Sequence, residues 1–244
     1  MASATLSPTR RAALDALAAD LQRLFGNRLR SVCAYALENR NESDTHSIVF
    51  VDQLAFEDLA ACVPLTKGWA ARGVAVPLIL EEREFARSLD TFPLEYGDII
   101  AHHVVILGAD PFTGISVNEA DRRRGCELQA KSHLIHLREA YLETGGDPRA
   151  VGRMIAASAE GFRRLLENLV SLVRPAAPHA AGHPDLADDA EALVGVPASL
   201  TREVLATAAS GGPTTIADPT ALLARYIEAA QDIWEFVDAW KRPA

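Results

Sequence analysis

The chain has 244 residues, 49% of them hydrophobic and 23% charged, which is enough to bury one large core or two ordinary ones. Its formal net charge of −9 argues against a non-specific nucleic-acid binder, because attraction to a phosphate backbone needs a basic surface. Three scattered cysteines, Cys33, Cys62 and Cys126, form no CxxC pair and fit reduced thiols in a cytoplasmic protein.

Met1 to Pro8 lacks the apolar stretch of a secretory signal, and no apolar run reaches membrane-spanning length, so no membrane partner is expected. Ser7-Pro8 then opens a helix, as an N-cap followed by proline at the first helical position, with Leu14, Leu17, Leu21, Leu24 and Phe25 on one stripe and Gly26-Asn27 as its stop. Leu29 to Ala36 and Ser47 to Val51 read as strands, joined by a connection from Glu38 to Asp44 too polar for a core. Phe56 to Ala71 reads as a helix broken or kinked at Pro64, with Leu59, Val63 and Trp69 turned inward. Val74 to Leu80 is a third strand, Glu81 to Leu89 a short helix, and Thr91 to Tyr96 and Val104 to Leu107 two further extended segments before the turn at Gly108 to Phe112.

From Val117 onward the pattern is helical alone. Asn118 to Glu143 carries Leu134, Leu137 and Tyr141 at helical spacing and stops at Gly145-Gly146. Asp147-Pro148 restarts a helix whose stripe runs Val151, Ile155, Ser158, Phe162, Leu165, Leu169 and Leu172, so the two are expected to pair antiparallel. Arg174 to Asp185 reads as a linker, Leu186 to Leu193 and Ser199 to Ala209 as short helices, and Asp218-Pro219 as the cap of a last helix with Leu223, Tyr226, Ile227, Ala230, Ile233, Trp234, Val237 and Trp240 inward. Two domains follow: an α/β (α+β) head with a mixed sheet over 1–115 and an all-α bundle over 116–244.

The stretch Tyr35-Ala36-Leu37, a polar connection, then Ser43-Asp44-Thr45-His46 running into Ser47-Ile48-Val49-Phe50-Val51 resembles the nucleotidyltransferase-fold family of kanamycin nucleotidyltransferase and the minimal nucleotidyltransferases. That family has Gly-Ser after the first strand and Ser-Asp-x-Asp before the second. The resemblance implies a head built around a nucleoside triphosphate, with Ala36, Leu37 and Ser43 as nucleotide contacts and Asp44 as a Mg²⁺ ligand. It also implies a third carboxylate from a neighbouring strand, for which Glu95 is the candidate and Asp98 the runner-up.

The departures from the pattern are chemical. Mg²⁺ wants oxygen ligands in octahedral array, and phosphoryl transfer uses the metal to neutralise developing charge. His46 stands where the second carboxylate belongs, and its imidazole nitrogen is a poor Mg²⁺ ligand; Leu37 has no side-chain group with which to bond a phosphate. Asp44, His46 and Glu95 are thus the catalytic candidates, with Asp44 and Glu95 on the metal.

Further groups carry weaker signals. Arg122, Arg123 and Arg124 run together at the start of the first bundle helix, and Arg124 with Lys131 are candidates for triphosphate, against the plainer reading of a solvated face. His102-His103 read as a phosphate contact or general base, against exposed loop histidines. Cys126, His133 and His136 share one helix but lack a fourth ligand, which favours packing over a soft-metal site. No Gly-x-Ser-x-Gly elbow, P-loop or GxGxxG occurs. Three functions follow: a pseudoenzyme that binds a nucleotide, small ligand or partner protein; an active transferase moving a nucleotidyl group from a nucleoside triphosphate to a hydroxyl or amine; and an assembly protein that forms a homodimer through helices such as Ile227 to Trp240.

Overall fold

The computed structural model describes residues 6–35, 44–174, 185–209 and 216–241. It divides into two units, Met1–Asn118 and Glu119–Ala244. In the first, Ser7 caps helix α1 (Pro8–Phe25), its hydroxyl accepting from Arg10 N–H at 3.3 Å. Leu14, Leu17, Leu21 and Phe25 are buried on one face, and Gly26 ends the helix with φ +55°.

The sheet forms beneath that face. Strand β1 (Leu29–Tyr35) pairs antiparallel with β2 (His46–Val51) on one side and with β4 (Val104–Gly108) on the other. Strand β3 (Leu78–Glu81) lies parallel to β2, giving the mixed order β3-β2-β1-β4. Side chains alternate across it: Val32, Ala34, Val49 and Val51 face α1, whereas Cys33, Ile48 and Phe50 face a second cluster of Phe85, Tyr96, Ile99 and Phe112. Phe50 meets Phe85 edge-on at 5.2 Å and Phe112 at 5.6 Å. Burial on both faces is why the β2 run is continuously apolar rather than alternating.

Three local expectations are corrected. Thr91 to Tyr96 is not extended: Pro93 opens helix α5 (Pro93–Ala101), which buries Pro93, Tyr96 and Ile99 at a spacing of three. The third strand is shorter than Val74 to Leu80, because Val74 makes only an isolated bridge to Thr45 and Pro77, which lacks an N–H, precedes the ladder. The Phe56 to Ala71 segment breaks at Pro64 as its sequence demands, into α2 (Phe56–Cys62), a 3-10 turn Val63–Leu65 and α3 (Thr66–Ala70). Of its expected inward residues only Trp69 is buried, its indole N–H donating to Asp20 at 2.9 Å, while Leu59 and Val63 stay exposed. Asp58 ties the start of α2 down, accepting from Ala55 N–H at 2.9 Å and from both Arg28 guanidinium nitrogens at 2.7 and 2.8 Å. Those Arg28 hydrogen bonds hold its carboxyl down at about 2. A short helix α4 (Glu82–Arg87) completes the unit's helices and buries Phe85.

The second unit is helical throughout its described residues. Helix α6 (Glu119–Glu143) and α7 (Pro148–Val173) are joined by a tight turn at Gly145-Gly146 and pack on each other. Helices α8 (Leu186–Val194) and α9 (Ala198–Ala209) pack on α7, and α10 (Pro219–Ala239) packs on α6, α7 and α9. Asp147 and Asp218 cap α7 and α10 through the N–H groups of Ala150 and Ala221. Val151, Ile155, Phe162, Leu165, Leu169 and Leu172 of α7 are all buried. So are Tyr226, Ala230, Ile233 and Val237 of α10, while Ile227, Trp234 and Trp240 are partly buried.

Candidate functional site

The start of β2 is fixed by backbone pairing. Thr45 donates its N–H to Gly73 at 2.8 Å and accepts from Ala75 at 3.1 Å, which sets strand alternation before His46. Thr45 therefore points to the α1 side, and His46 to the side of Ile48 and Phe50. His46 pairs across the ladder with Tyr35, their rings 5.8 Å apart and tilted by 38°, so the imidazole is half-buried against an aromatic face. Asp44 is exposed at the bend just before Thr45. Ala36, Leu37 and Ser43 lie outside the described residues.

A metal clamp in the family's manner needs carboxylates on adjacent strands. The four described strands carry one between them, Glu81 at the end of β3. Register puts Glu81 beside Val51, at the end of β2 remote from His46, and its carboxylate accepts from Leu54 N–H at 3.0 Å. Glu95, expected on a strand, sits exposed on α5 instead. Asp98 is one turn further along α5 and is bonded to His102 Nδ1 at 2.8 Å. Among the described residues no three His, Cys, Asp or Glu side chains converge in a group that would hold a metal. Among the described residues the donors at the start of β2, one carboxylate and one imidazole, do not by themselves fit Mg²⁺, which needs an oxygen shell.

His103 is packed rather than loose. Its Nδ1 faces Ile100 O at 3.0 Å, its Nε2 faces Asp110 at 3.2 Å, and its ring stands edge-on to Phe112 at 4.6 Å. Asp110, in the sequence only part of a turn, also accepts from Phe112 N–H at 2.9 Å. An Asp-Pro pair signals that turn, but nothing local signals its histidine partner. Burial, with the charge of Asp110 nearby, pushes the Cys33 thiol up to about 12, which makes it inert as a nucleophile.

The basic candidates of the helical unit hold that unit together. Arg122 donates to Ser171 Oγ at 2.7 Å. Arg123 donates to the carbonyls of Asp238 and Trp240 at 2.8 and 3.2 Å, satisfying acceptors that the end of α10 leaves without intrahelical partners. Arg124 pairs with Asp121 at 2.6 Å, and Lys131 Nζ lies 3.4 Å from the centre of the Trp234 ring. Cys126, His133 and His136 go separate ways. Cys126 is buried beside Asn168 O, His136 pairs on the surface with Glu139, and His133 Nε2 meets the Tyr226 hydroxyl at 2.8 Å. That divergence is what core packing and surface pairing produce, not a metal site.

A mixed four-stranded sheet with helices on both faces, followed by a helical region, is similar in fold to solved nucleotidyltransferase-fold structures. One of these is spectinomycin adenyltransferase AAD(9) from Enterococcus faecialis, solved with ATP and spectinomycin. It superposes with a TM-score of 0.52 over 91% of this chain and 98% of that one, at 9% sequence identity, a likeness of fold alone. No protein-family model and no curated sequence matches the chain. No helix among the described residues is long and apolar enough to cross a membrane.

Proposed function

We propose that this protein is a nucleotidyltransferase-like pseudoenzyme, which binds a nucleotide or a related small molecule around the start of β2 without metal-dependent transfer. The observation that carries this reading is His46. It opens β2 at the place where the resemblance asks for a metal-binding carboxylate, and its ring lies tilted beside that of Tyr35. Among the described residues, no adjoining strand supplies a replacement acid at that end of the sheet. The ATP-bound state of the structural neighbour supports a nucleotide as the ligand class. In this reading Ser43, Ala36 and Leu37 contact the ligand, as the resemblance implies.

The exposed Asp44 favours a second reading, an active transferase in which Asp44 and Glu95 hold Mg²⁺ and His46 serves as an irregular ligand or base. Thermal shift with ATP, GTP, CTP and UTP separates the two, since a ligand that binds only the folded state raises the melting temperature. Stabilisation by a triphosphate in EDTA supports the pseudoenzyme. Stabilisation that appears only with Mg²⁺ supports transfer. A His46→Asp variant should gain Mg²⁺ affinity, because the change restores an oxygen donor two residues from Asp44; an unchanged affinity would count against that placement.

A further inference from the structure

We draw no further inference here: the strongest candidate, the exposed apolar stripe of Phe56, Leu59 and Val63 on α2 and the turn after it, with the groove beside it that Val76 and Pro77 wall on the far side, carries nothing because nothing in the structure shows what covers it.

Discussion

His133 shows how one buried polar group couples the bundle to pH. Burial, with a smaller contribution from His136, lowers its pKa from about 6.5 to about 4, while burial raises that of Tyr226 and keeps the phenol protonated. The 2.8 Å hydrogen bond between His133 Nε2 and the Tyr226 hydroxyl thus joins two neutral groups, and Ser158 Oγ lies 3.3 Å from the same oxygen. Because the folded pKa lies below the unfolded one, the neutral imidazole contributes stability that is complete above pH 6.5 and lost as pH falls toward 4. The loss is on the order of 2 to 3 kcal/mol. Denaturant unfolding of the wild type and of His133→Asn should thus diverge at pH 7.5 and converge near pH 4.5. Parallel curves over that range would show that His133 titrates as freely in the folded chain as in the unfolded one.

At the scale of elements, the end of β4 depends on Gly108. It pairs with Ser31 at φ +84°, and a Cβ there would lie 2.0 Å from the Arg30 carbonyl oxygen. Gly108→Ala should cost about 2 kcal/mol or more in urea unfolding, since it combines an unfavourable φ with a backbone clash. A loss within experimental scatter would mean that the strand end shifts freely. The sequence announced many such elements: the caps at Ser7, Asp147 and Asp218, the break at Pro64 and the long stripe of α7 are local chemistry and stand where local chemistry puts them. Helix α5 was hidden because a nine-residue helix opened by proline resembles an extended segment over its first turn. The stripe on α2 was misjudged for a different reason, since periodicity shows that a face is apolar and not what covers it. At the candidate site, alternation along β2 was legible. The register that sets His46 beside Tyr35 was not, because a polar connection does not fix it, and the meeting of His133 with Tyr226 was not, because they lie 93 residues apart.

At the scale of the whole molecule, a four-stranded mixed sheet with helices is followed by a helical unit, and the described strands carry a single carboxylate, Glu81. Among the described residues, one acid, one imidazole and a tyrosine ring mark the start of β2, and the strand-borne carboxylate, Glu81 of β3, lies level with the far end of β2. In the proposed function this place recognises a nucleotide by hydrogen bonding and ring contact rather than by charge neutralisation through Mg²⁺. Calorimetric titration of ATP into the full chain, once in EDTA and once in excess Mg²⁺, measures this directly. The proposed function predicts binding in EDTA with an affinity that Mg²⁺ leaves within a few-fold, and no release of pyrophosphate during the titration. Binding that appears only with Mg²⁺, or pyrophosphate released in step with it, would contradict it.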